Sequence, residues 1–135
     1  MGYDTRWMRL LLLKRMGVSH RLSIEEIRLA AERCLEEDYR AMERAARPDW
    51  KAEIVAHGAC AALIREHCDG ASTSGMDADT VADELLGRLR RAGRESRIDG
   101  YFSDDDGFAR ATYGSIAGCI ERRLAELGWK VGATD

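Results

Sequence analysis

The chain has 135 residues and a nearly balanced charge, with 21 Lys and Arg against 24 Asp and Glu and a net charge of −3. That length fits one domain, and 45% apolar with 33% charged residues is typical of a folded, soluble chain rather than a disordered tail. A slightly acidic balance argues against direct binding of nucleic acid or anionic membranes, which requires excess positive charge. The single proline favours long helices, because proline breaks helix interiors. Composition therefore predicts an all-α protein of about five helices.

The cysteines and the apolar runs bear on the compartment. Cys34, Cys60, Cys68 and Cys119 have no Cys-x-x-Cys spacing. Their even number is compatible with two disulfides, but a chain of this length can be stabilised by its core alone. We therefore expect reduced, mostly buried thiols in an intracellular compartment. The longest wholly apolar run, 10–13, is far shorter than the roughly 18–20 residues that span a bilayer, so we expect no membrane insertion.

The first predicted element is a basic amphipathic helix over about 4–16, within an N-terminal segment 1–22. Five basic residues in this segment outnumber one acid. Such a segment is typical of a mitochondrial presequence. We favour a helix that docks on an acidic partner, and mitochondrial targeting is the alternative.

Residues 23–128 are predicted to form the main domain, followed by a C-terminal tail, 129–135. Ser23 and Glu26 form a capping box at the start of the second helix, since each side chain can accept a hydrogen bond from the other's backbone N–H. Pro48 ends that helix. The third helix begins near Asp49 and carries a broad, alanine-rich apolar stripe, which permits close approach by neighbouring helices. A loop over 69–75 follows.

The last two predicted helices are separated by a polar stretch over 94–107. The fourth is capped by Asp77 or Asp79 and ends at Gly93. The fifth carries apolar residues from Phe108 onward at helical spacing and ends at Gly128. Five arginines cluster at the end of the fourth helix and just beyond it, which we interpret as a solvated helix end rather than a patch that binds an acidic protein or RNA: Arg88, Arg90, Arg91, Arg94 and Arg97.

No pattern of catalytic or metal-binding residues is complete. His57, Cys60, His67 and Cys68 are zinc-binding types, but on one straight helix they extend over about 15 Å and cannot all reach one ion. Residues 103–107 resemble part of a calcium loop that lacks the carboxylates required at its first and last positions, and a helix N-terminus that attracts acidic residues explains them better. Cys34, Cys60 or Cys119 could pair with His57 or His20, without an evident orienting group. We predict no catalytic, cofactor or metal site, and no small-molecule substrate.

Two segments together resemble one family. Trp50-Lys51, Ile54, Ala56 and His57 follow the arrangement W-K-x-x-[LI]-x-A-H at the start of a helix. Residues 80–86, then Leu89 and Gly93-Arg94, resemble a T-V-[DE]-[DE]-L…I…G-R segment, with one residue inserted before the acidic pair. This combination is similar to the enhancer-of-yellow family, small helical adaptors of the SAGA coactivator and of TREX-type mRNA-export complexes.

The resemblance implies a non-enzymatic, nuclear adaptor subunit whose helices form a curved or bundled array that clasps a long helix of a larger protein. On that basis Trp50 is the expected fold anchor. The expected groove or core residues, which contact the partner helix or pack beneath it, are Ile54, Ala61, Ile64, Leu85, Leu89 and Ile120. The alternatives are an accessory subunit of a mitochondrial assembly, and a small enzyme or metal protein that uses the Cys and His residues.

Overall fold

The computed structural model describes residues 8–9, 11–12, 22–45, 51–69, 73, 75–95 and 103–129, with the backbone alone for 51–52 and 103–109. These residues contain four helices and no strand: α1 (Ile24–Ala45), α2 (Lys51–His67), α3 (Ala78–Arg94) and α4 (Ser103–Glu126). The all-α class is confirmed, and four of the five expected helices lie within the described residues. The predicted first helix lies mostly outside the described residues, although Met8, Arg9, Leu11 and Leu12 are helical.

Helix α4 is the centre of the fold, because it packs extensively on each of the other three helices, whereas α1 and α3 contact one another least. The apolar faces that meet around α4 form one continuous core. Its largest fully buried side chains are Ile27, Val81, Leu85, Leu89, Ile116, Ile120 and Leu124, together with Cys34 and Cys60. No helix among the described residues is long and apolar enough to cross a membrane.

Two predicted helix ends are confirmed in atomic detail. At the start of α1, Ser23 N–H donates to Glu26 Oε1 over 3.0 Å, and Glu26 N–H donates to Ser23 Oγ over 3.2 Å, which is the capping box. At the end of α4, Gly128 has a φ of 97°, and the Trp129 N–H bonds back to the Leu124 carbonyl over 3.0 Å. This is a Schellman ending, which requires the left-handed residue that glycine provides.

Two predicted boundaries differ from the structure. Helix α4 begins at Ser103, within the stretch expected to be polar loop, because serine and acidic residues stabilise the first turn of a helix. Gly93 does not end α3, which continues to Arg94. It is buried against α4, and a Cβ placed on it would lie 2.9 Å from Tyr113 Cβ. Gly93 therefore permits close approach of two helices.

The expectation of four reduced cysteines is wrong for one pair. Cys34 on α1 and Cys119 on α4 form a disulfide, with Cα atoms 5.7 Å apart and a sequence separation of 85. The sequence could not show this pairing, because it arises from the packing of α1 on α4. Cys60 and Cys68 remain thiols and are buried, as expected. Trp129, the first residue of the predicted tail, is also buried in the core.

Candidate functional site

The six residues expected to contact a partner fall into two groups. Four of them are buried in the core: Ile64, Leu85, Leu89 and Ile120. Ala61 is partly exposed, and Ile54 has half of its surface, 50%, open to solvent. In the isolated chain, Ile54 and Ala61 are thus the members of the set that a partner can reach directly.

A groove runs between α1 and α2, and two of the expected residues line it. Its volume is about 750 Å³. The apolar part of its wall comes from Leu35 on α1 and from Ala61, Ala62 and Ile64 on α2. The charged part consists of Arg28, Glu32, Arg65, Glu66 and Asp69. We call this feature the α1–α2 groove. It is open because alanine side chains fill little of the space between two helices.

An apolar stripe on α2 continues from the groove toward the N-terminal end of that helix. It consists of Ile54, Val55, Gly58 and Ala62, all exposed. Tyr39 on α1 is also exposed, and its ring centroid lies 6.1 Å from that of His57, one turn from Ile54. The described part of α2 therefore presents apolar and small residues to solvent on one side while its other side fills the core.

His57 and Cys60 have different surroundings. His57 Nδ1 lies 2.9 Å from Asp38 Oδ2, so the imidazole ties α2 to α1. Cys60 is fully buried, and burial, followed by the charge of Asp38, raises the pKa of its thiol to about 12. A thiol with that pKa is protonated at neutral pH and is a poor nucleophile. The carboxylate beside His57 orients the ring for packing between helices.

His67 and Cys68, the other two zinc-type residues, have separate environments. Arg88 on α3 lies 3.1 Å from His67 Nδ1, and Glu84 on the same helix lies 3.9 Å from His67 Nε2. Burial and then the charge of Arg88 lower the pKa of His67. Cys68 is buried, and burial raises the pKa of its thiol to about 11. The imidazoles of His57 and His67 thus face α1 and α3 respectively, not a common point.

A cluster that the sequence analysis missed surrounds the disulfide. Glu37, one turn after Cys34, places Oε2 3.2 Å from Cys119 Sγ, and Arg123 on α4 pairs with Oε1 of the same carboxylate. We call Cys34, Cys119, Glu37 and Arg123 the disulfide cluster. Among the described residues, Cys34, Glu37 and Cys119 are the one group of three metal-ligand types with atoms within 4.8 Å of each other. Their sulfurs are bonded to one another here.

The arginines at the end of α3 have divided roles. Arg90 bonds to Glu121 on α4 over 2.7 Å, and Arg88 contacts His67. Arg91 and Arg94 are exposed in the last turn of α3, where positive charge favours the helix dipole. Arg97 and the expected anchor Trp50 lie outside the described residues, as do His20 and most of the basic N-terminal segment.

Comparison of the chain with protein-family models, with curated proteins and with solved structures finds no match.

Proposed function

We propose that the chain is a non-enzymatic adaptor subunit that binds a helix of a larger protein along α2. The α1–α2 groove with the adjoining apolar stripe is the observation that carries this proposal. Apolar side chains exposed in a continuous row are typical of a face that a partner covers.

The length of the surface suits a helix. Ile54 and Asp69 are 15 positions apart along α2 and its end, so the surface is about 22 Å long at 1.5 Å per residue. A partner helix of about four turns has the same length, and its anchors at i, i+3 or i+4 and i+7 would lie along the stripe. Gly58 and Ala62 allow the two backbones to approach closely, as small residues do elsewhere in helix packing.

The charges beside the groove favour one orientation of the partner. Arg28 and Glu32 lie on the α1 wall, while Arg65, Glu66 and Asp69 lie on the α2 wall. Opposite charges on a partner would fix its register and direction, and like charges would be repelled. A subunit that binds a helix through apolar contacts and charge pairs needs no bound metal, no cofactor and no reacting group.

Assignment to a transcription-coactivator or mRNA-export complex in the nucleus rests on the resemblance of the Trp50 and Thr80–Arg94 segments to the enhancer-of-yellow family. A fluorescent fusion of the full chain tests this part separately. Nuclear signal supports the assignment. Mitochondrial signal contradicts it and favours the alternative of an accessory subunit of a mitochondrial assembly, for which the basic segment 1–22 is the motivation.

The surface itself is tested by comparing two matched substitutions in the full chain. Ala62→Arg places a long charged side chain in the groove, whereas Ala111→Arg makes the same change at an exposed alanine of α4. Proteins retained by the wild type are identified, and crosslinking with mass spectrometry locates the bound segment. A synthetic peptide of that segment is then titrated against each variant and followed by circular dichroism.

We expect the peptide to become helical on binding, Ala62→Arg to remove binding, and Ala111→Arg to leave it intact. Equal binding by both variants, or crosslinks that map away from α2, contradicts the proposal. Thermal unfolding of both variants shows that any lost binding is not lost folding.

A further inference from the structure

The position of Glu37 in the disulfide cluster is chemically suited to the reduced state of Cys119. Its Oε2 lies 3.2 Å from Cys119 Sγ, within the range for a hydrogen bond that involves sulfur. A disulfide sulfur has no proton to donate, whereas a thiol has one. In this geometry a Cys119 thiol would donate a hydrogen bond to Glu37 Oε2, and the carboxylate would be placed to accept the thiol proton.

Arg123 holds that carboxylate in place. It pairs with Glu37 Oε1 and leaves Oε2 directed at the sulfur. Arg33 lies 3.8 Å from the same Oε1 along α1. Arg123 also follows Cys119 by four residues on α4, a spacing that places two side chains on one helix face.

Access to the cluster differs between its two cysteines. Cys119 retains 8% of its surface in contact with solvent and Cys34 only 1%. The Glu37 side chain beside them is 44% exposed. A small molecule that approaches past Glu37 therefore meets Cys119 first.

We propose that Cys119 and Cys34 form a redox site for a small hydroperoxide, with Glu37 as the proton acceptor. In the first step the Glu37 carboxylate takes the proton of the Cys119 thiol, and the thiolate attacks one oxygen of the peroxide. The S–O bond forms and the O–O bond breaks. The departing oxygen takes the proton from Glu37 and leaves as an alcohol, or as water from hydrogen peroxide. Cys119 is oxidised to the sulfenic acid and the peroxide is reduced.

In the second step the Cys34 sulfur attacks Cys119. The S–S bond forms, the S–O bond breaks, and the hydroxide leaves as water with the proton of the Cys34 thiol. Two thiols and one hydroperoxide thus give a disulfide, an alcohol and a water. A small thiol reductant returns the Cys34–Cys119 disulfide to two thiols by two exchange reactions and is itself oxidised to a disulfide.

The other two cysteines supply an internal reference. Cys60 and Cys68 are buried thiols whose pKa is raised by burial, and neither is paired. They should react slowly with peroxide in the same molecule. Cys68 is almost as exposed as Cys119, 7% against 8%, so faster oxidation of Cys119 would come from the cluster and not from exposure.

The test uses the full chain, reduced and then freed of reductant, with hydrogen peroxide as the probe. The rate of disulfide formation is followed by blocking remaining thiols and mapping the peptides by mass spectrometry. Glu37→Gln removes the proton acceptor at nearly the same size. Glu36→Gln makes the same change at the neighbouring carboxylate, which pairs with Arg40. Cys34→Ser removes the second sulfur, and a sulfenic-acid trap is added to it.

We expect Glu37→Gln to slow the reaction about a hundredfold, Glu36→Gln to leave the rate unchanged, and Cys34→Ser to accumulate trapped sulfenic acid at Cys119. Equal rates for Glu37→Gln and the wild type overturn the proposal and leave a structural disulfide. Oxidation of Cys60 or Cys68 as fast as Cys119 also overturns it. A third result also overturns the proposal: the reduced protein binds one zinc ion per chain, and the zinc blocks oxidation. Cys34, Glu37 and Cys119 would then be metal ligands. Circular dichroism of each reduced variant confirms that it is folded.

Discussion

The contact between α3 and α4 and the contact between α1 and α2 both use small residues, with opposite results. On α3, Gly93 lets the backbone approach Tyr113 so closely that no Cβ would fit without movement. On α2, Ala61 and Ala62 line an open groove beside Leu35 of α1. A small residue closes an interface when the partner backbone moves in to meet it. It leaves a groove when other contacts hold the two helices apart.

The same difference divides the residues expected to bind a partner. Leu85 and Leu89 on α3 and Ile120 on α4 belong to the core, and they are completely buried. Ile54 lies on the open side of α2. A core face and a binding face have the same periodicity in sequence, since both repeat every three to four residues. Packing, not pattern, separates the two roles.

Two matched isoleucines give the largest expected contrast between these regions. Ile120→Ala removes a fully buried side chain and leaves a cavity, so we expect it to lower the free energy of unfolding by about 3–4 kcal/mol. Ile54→Ala removes an exposed side chain and should change that energy by less than about 0.5 kcal/mol. Urea denaturation of both variants measures the difference. A similar loss for the two positions would show that Ile54 is part of the core in solution.

Two glycines of α3 provide the second contrast. Gly93→Ala should destabilise the protein by about 1–3 kcal/mol, because its new methyl group would lie 2.9 Å from Tyr113 Cβ. Gly87→Ala adds a methyl group with nothing within 4 Å and should stabilise α3 by about 0.5–1 kcal/mol. Thermal unfolding gives both values. Stabilisation by Gly93→Ala would mean that α3 and α4 are farther apart than described.

The start of α1 should depend on its capping box. Ser23→Ala removes the acceptor for the Glu26 N–H and should cost about 1 kcal/mol of stability. Ser23→Thr keeps a hydroxyl at the same position and should retain most of the wild-type stability. Equilibrium denaturation of the three proteins tests this. Equal losses for both variants would indicate that the hydroxyl bond contributes nothing and that the size of residue 23 matters instead.

Much of the fold was predictable, because helix periods and caps are local. Ser23, Glu26 and Gly128 are short-range signals, and the structure confirms what they indicated. The start of α4 was missed because its acidic first turn has the composition of a loop. Gly93 was misinterpreted for a related reason: a glycine that ends a helix and a glycine that admits a neighbour look the same in one chain.

The sites were harder to predict, because they depend on residues far apart in sequence. The disulfide joins positions 85 residues apart, and Glu37 and Arg123 meet across the same two helices. No spacing rule links such residues. The alanines of α2 suggested room for another helix, and two of them line the α1–α2 groove, while Ile64 is both part of its lining and part of the core.

The smallest expected effect concerns the link between the two regions, His67 of α2 against Arg88 of α3. Burial and the charge of Arg88 lower the pKa of His67, so the folded state binds a proton more weakly than the unfolded chain does. The stability associated with neutral His67 is complete above the unfolded pKa of about 6.5 and is lost as the pH falls below it. Glu84 and Glu66, which act in the opposite direction, keep the effect small.

Melting temperatures at pH 7.5 and pH 5.5 should therefore differ more for the wild type than for His67→Gln, which cannot be protonated. An equal or larger difference for His67→Gln would show that other groups account for the pH dependence and that the link between α2 and α3 does not respond to protonation.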